Sequence, residues 1–230
     1  RPSRDSIAQL GSAENRRVAR EAVAKSLVLL KNDAAVPLRK DAGLVFVAGA
    51  AANDIGLQCG GWTIEWRGIP RGELPGSTLL QAVEQAVSGG VDVVYDAAGE
   101  FNNRIADVGV VVIAEPPYAE MTGDRADLTI PPADIELIQR MRRQCRSLVG
   151  ILYTGRPLLI TDQLESFDAL VAAWLPGSEG AGIADVLFGD VPFGGKLPYA
   201  WPRNGEQIPL AALEAHSEPP LWPRGYGLEV

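Results

Sequence analysis

At 230 residues, 47% of them apolar, the chain is long enough to bury a substantial core within one α/β domain. Its formal charge of −8, without any Lys- or Arg-rich block, argues against a nucleic-acid or anionic-membrane partner. No apolar run approaches the length needed to cross a bilayer. Two cysteines, Cys59 and Cys145, and one histidine, His216, make neither a disulfide framework nor a metal cluster. Both thiols are expected to be free, and no metal or cofactor is expected.

In chain order, Ser12 is expected to cap a helix whose apolar positions Val18, Ala22, Val23, Leu27 and Leu30 recur at three- and four-residue spacing, ending near Lys31-Asn32. Residues 44–50 form a short continuous apolar run, as a parallel strand buried on both faces requires. A glycine-flanked loop carrying Trp62 and Trp66 is expected to follow it directly. Further on, 78–87 reads as a helix, 91–95 and 108–114 as strands, and 131–145 as a helix with proline near its first turn. Residues 148–153 and 169–174 are two more apolar strands, and 180–188 is a helix ended by Gly189. Five strands alternating with helices predict an α/β fold: a three-layer sandwich with a mainly parallel sheet and helices on both faces, plus an irregular carboxyl-terminal tail. Residues 12–202 read as the sandwich and 203–230 as a tail on this or a neighbouring domain.

Several chemistries lack their motifs. There is no Gly-x-Gly-x-x-Gly after the first strand and no Gly-x-x-x-x-Gly-Lys-Ser/Thr, so nucleotide binding has little support. Gly177-Ser178-Glu179-Gly180-Ala181-Gly182 opens a helix but carries an acid where an anion would sit, and reads as a tight strand-to-helix turn. A Ser-His-Asp triad would need His216, which lies in a proline-flanked tail without any nucleophile elbow.

Two loops remain. Trp62 and Trp66 have no obvious core to fill; indole faces stack on sugar C–H faces, although both rings could instead plug the loop onto the domain. After the strand at 108–114, the loop runs Glu115-Pro116-Pro117-Tyr118-Ala119-Glu120-Met121-Thr122-Gly123-Asp124-Arg125, with the paired prolines stiffening its exit. Glu120 has no adjacent cation in sequence and is the candidate general acid, while Arg125 is expected to hold Asp124 ionised. A carbohydrate site is the reading that joins the two loops. A glycosidase needs a second carboxylate, and the spacing does not reveal one.

The segments Gln58-Cys59-Gly60-Gly61-Trp62-Thr63-Ile64-Glu65-Trp66, Glu115-Pro116-Pro117-Tyr118-Ala119-Glu120, Thr154-Gly155-Arg156-Pro157, Gly194-Gly195-Lys196-Leu197-Pro198 and Gly225-Tyr226-Gly227-Leu228 resemble the carboxyl-terminal α/β sandwich domain of family 3 glycoside hydrolases, in the β-glucosidase and β-glucan exohydrolase branch. The resemblance implies a retaining enzyme that removes glucose from non-reducing ends of β-glucans or β-glucosides. An amino-terminal (β/α)₈ barrel would supply the nucleophilic aspartate and most glucose contacts. Glu120 would be the general acid/base, and Trp66, with Trp62 beside it, would wall the next sugar subsite. The resemblance also implies that residues 1–11 are a linker remnant, a secreted or periplasmic setting, and an isolated domain without turnover. A non-catalytic carbohydrate-binding or scaffolding module, and a family 3 xylosidase or N-acetylglucosaminidase, are the alternatives.

Overall fold

The computed structural model describes residues 7, 9–69, 74–209 and 218–230; His216 lies outside them, as does much of the expected linker at 1–11. Among the described residues six strands form one sheet: β1 (Val28–Asn32), β2 (Leu44–Ala48), β3 (Asp92–Asp96), β4 (Ala106–Ala114), β5 (Cys145–Tyr153) and β6 (Ala169–Trp174), in the order β1-β6-β5-β4-β2-β3. The pairs β2/β3, β2/β4, β4/β5 and β5/β6 are parallel, and β1 is antiparallel to β6. The α-helices that accompany them are α1 (Ala13–Ser26), α2 (Ile55–Cys59), α3 (Leu79–Ala86), α4 (Pro132–Gln144) and α5 (Ala181–Leu187).

Both sheet faces are buried, which is why the strands read as unbroken apolar runs rather than alternating ones. In β2, Val45 and Val47 face the layer of α1, α3 and α5, with Leu79, Val83, Ile183 and Leu187. Phe46 and Ala48 point the opposite way, toward Phe101 and the α4 residues Ile138 and Met141. The period-two alternation of Cβ directions thus divides one apolar run between two cores. The three-layer α/β sandwich is the observed architecture.

The expected first helix is too long. It starts as read, with Ser12 Oγ accepting from Asn15 N–H at 3.3 Å, but ends at Ser26, and Val28–Asn32 is the edge strand β1. Val28, Leu29 and Leu30 are all essentially inaccessible. Val28 and Leu30 enter one core and Leu29 the other, which a strand achieves and a one-striped helix does not. Val18 is 53% exposed, so the helical stripe is narrower than its spacing implied.

The tail contributes to the second core. Trp201 is fully buried, donates Nε1–H to Leu158 O at 2.8 Å and pairs its backbone with Trp222. Trp174, Trp201, Trp222 and Tyr226 form a run of ring contacts with centroids 5.8–6.1 Å apart. Leu228 N–H donates to Leu29 O at 2.9 Å, covering the outer edge of β1.

Candidate active site

The strands β4, β5 and β6 deliver their loops to one edge of the sheet, where parallel α/β sheets bind ligands. The tryptophan loop does not leave β2 directly. A 3₁₀ turn (Ala50–Asn53) and α2 intervene, and they carry the chain to the ends of β5 and β6. Asp54 caps α2 by accepting from Gly56 and Leu57 N–H, a role suited to a short side chain before a helix. Buried Gln58 then donates its amide to Ser77 O and Gly177 O at 3.1 and 2.7 Å, bolting the helix end to the β6–α5 turn. In that turn Glu179 is buried against Arg16, which accounts for an acid at the glycine-rich helix start.

Beyond Gly60 the chain makes a small closed loop: Trp62 N–H donates to Trp66 O at 3.0 Å and Gly68 N–H to Glu65 O at 2.9 Å. Trp62 and Ile64 both have φ of +63°, a strained backbone for bulky side chains that turns them outward. Trp62 is 70% exposed and Trp66, more covered, is 38% exposed; neither indole belongs to the two buried cores. The Arg67 guanidinium lies 5.4 Å from the Trp66 ring centroid, within cation–π range.

The carboxylate loop packs directly behind. An ideal Cβ at Gly61 would stand 1.9 Å from Tyr118 O, and one at Gly68 would stand 2.8 Å from Pro117 Cβ. Only glycine permits this approach, so the Gly-Gly-Trp and Pro-Pro-Tyr segments form one unit. Glu120 projects from the turn that follows and is exposed, as is Met121. Arg125 does not pair with Asp124 as sequence adjacency suggested. Its guanidinium turns inward to Glu115, 3.2 Å away.

Glu115 is the residue whose weight the sequence reading missed. Placed just past β4, it is 7% exposed and accepts from Arg156 Nε at 3.0 Å, from Arg125 Nη1 and from the Thr154 hydroxyl at 2.7 Å, with Arg156 Nη2 2.8 Å away in the same ion pair. Arg156 also donates to Gly123 O at 2.9 Å and covers the Tyr118 ring at 4.0 Å. Burial pushes the Tyr118 phenol up from its ordinary range, the Glu115 charge adding to the effect. The available signal was topological: Glu115 and Thr154-Gly155-Arg156 leave the carboxyl ends of adjacent strands, so they had to meet. With the turn after β5, the two loops line an open pocket of about 270 Å³, which Arg67, Glu115, Tyr118, Thr122 and Arg156 face among others. Cys59 and Cys145 are free thiols, and among the described residues no three His, Cys, Asp or Glu side chains converge as metal ligands.

The sequence profile described as "Glycosyl hydrolase family 3 C-terminal domain" matches residues 27–230. The chain belongs to the glycoside hydrolase family 3 C-terminal domains. This family 3 domain is 30% identical to the lysosomal beta glucosidase of Dictyostelium discoideum over 99% of its own length, and 28% identical to the periplasmic beta-glucosidase of Salmonella typhimurium over 93%. It spans about a third of those relatives, 31% and 34% respectively. Among solved structures it superposes on the exo-1,3/1,4-beta-glucanase of a Pseudoalteromonas species with a TM-score of 0.89 and 35% identity, covering all of this chain and 30% of that one.

Proposed function

We propose that this family 3 domain supplies the general acid/base and one aromatic wall of the active site of a retaining, exo-acting β-glucosidase or β-glucan glucohydrolase. The observation that carries the reading is the back-to-back packing of the two loops: an exposed carboxylate, Glu120, and exposed indoles, Trp62 and Trp66, ride on one glycine-locked unit. The β-glucosidases and exo-glucanase to which the chain is similar support the substrate class.

In this reading a (β/α)₈ barrel of the same enzyme supplies the nucleophilic aspartate. Glu120 protonates the leaving glycosidic oxygen as the glycosyl-enzyme forms, then takes a proton from the attacking water, with the two carboxyl groups about 5–5.5 Å apart. Its exposure on the domain leaves it free to meet a partner surface at that distance. Trp66 stacks on the sugar beyond the scissile bond, and Trp62 lies on the same rim. The domain alone holds the acid/base without the nucleophile and turns over no substrate.

Glu120→Gln in the complete enzyme tests the assignment. Hydrolysis of β-glucosides with poor leaving groups should fall by about 10²–10⁴-fold, while formation of the glycosyl-enzyme from dinitrophenyl glucoside, which needs little protonation, should change far less. Equal losses of kcat/KM on both substrates would remove Glu120 from the acid role.

A further inference from the structure

Glu120 is exposed, so whatever fixes its direction must be the turn beneath it. That turn is pinned from below by one buried carboxylate and two guanidiniums. Glu115 holds the entry of the loop, where its own backbone N–H donates to Tyr153 O at the end of β5. Arg156 runs from Glu115 to Gly123 O, three residues past Glu120. Arg125 runs from Glu115 to the exit of the loop, donating to Asp127 O at 2.9 Å and Thr129 O at 3.2 Å. The Thr154 hydroxyl satisfies a Glu115 oxygen.

From this geometry we infer that Glu115 is the positioning residue for the acid/base: with Arg125 and Arg156 it fixes entry, turn and exit of the loop in one arrangement, and so aims Glu120. A buried ion cluster is a poor way to gain stability, because desolvation offsets much of the attraction. It is a good way to select one loop conformation, since planar guanidiniums bind carboxylate and carbonyl oxygens in fixed directions. Tyr118 adds to the same grip, its ring clamped under Arg156 and its carbonyl against Gly61, so the tryptophan loop is registered by the same cluster. Glu115 touches no substrate in this scheme; it acts through Glu120.

The inference rests on Glu120 being the acid/base, and the experiment separates the two claims. Glu115→Gln, Arg125→Gln and Glu120→Gln are compared in the complete enzyme by kcat/KM for a disaccharide and for dinitrophenyl glucoside, and by the affinity of a glucose-shaped competitive inhibitor. A misaimed acid should cost about 10²-fold on the disaccharide, under about 5-fold on the activated substrate, and leave inhibitor affinity unchanged. Arg125 is a third exposed, so Arg125→Gln decides the matter should Glu115→Gln fail to fold. If Glu120→Gln shows the leaving-group selectivity while the other two lose activity equally on both substrates, weaken the inhibitor or change nothing, the positioning role is overturned and the acid assignment stands. If Glu120→Gln itself is unselective, the acid assignment is lost and the positioning role with it.

Discussion

Adding one methyl group at Gly61 should disable the site while sparing the fold. An alanine Cβ there would stand 1.9 Å from Tyr118 O, whereas real Cβ atoms essentially never approach closer than 3.0 Å. The loops must therefore part by at least the 1.1 Å difference, and the obstacle is backbone carbonyl, which cannot swing aside as a side chain could. Displacements of about 1 Å at a catalytic group cost on the order of 10²-fold in rate. If the proposed role holds, Gly61→Ala in the complete enzyme should lower kcat on a disaccharide substrate by about 10²-fold. Its unfolding midpoint should move little, because both loops lie outside the two cores. Steady-state kinetics beside a thermal melt read both quantities. Wild-type kcat with Gly61→Ala would refute the idea that this contact sets the relation of the two loops.

Trp66→Ala should weaken binding of longer oligosaccharides by about 3- to 10-fold, the worth of one aromatic stacking contact, with monosaccharide inhibition unchanged; isothermal titration of both ligands checks it. Trp201→Ala should destabilise the domain by about 3–5 kcal/mol, measured by urea unfolding, since it empties a fully buried indole site and leaves Leu158 O without its donor. Burial pushes the Cys145 thiol up to about 12, so the reactive thiolate is scarce at pH 8 and a disulfide reagent should modify Cys145 only after denaturant is added.

The parallel strands were legible because a strand buried on both faces writes itself as an apolar run, and β2, β4, β5 and β6 all do. Edge strand β1 was not, because Val28, Leu29 and Leu30 continue a helical spacing, and only pairing with Ala172 and Val171, far away in sequence, makes them a strand. The sequence leaves the destination of the 203–230 tail open between this domain and a neighbour; its Trp222, with Trp201 just before it, completes the second core, since a tail's destination depends on tertiary packing. At the site, the two exposed indoles and the loop carrying Glu120 could be read from glycine and proline punctuation. The partner of Arg125 could not. Adjacency favoured Asp124, but the buried carboxylate of Glu115 exerts the greater pull, because an unpaired charge there would be far more costly than one in solvent.

Chemical rescue tests most directly whether Glu120 is the acid/base of a retaining glucosidase. With Glu120→Ala in the complete enzyme and dinitrophenyl β-glucoside as substrate, the glycosyl-enzyme should still form, then stall for want of a base to activate water. Added azide, which needs no base, should accelerate turnover and yield β-glucosyl azide. Turnover indifferent to azide, or an α-glucosyl azide product marking Glu120 as the nucleophile, would contradict that role.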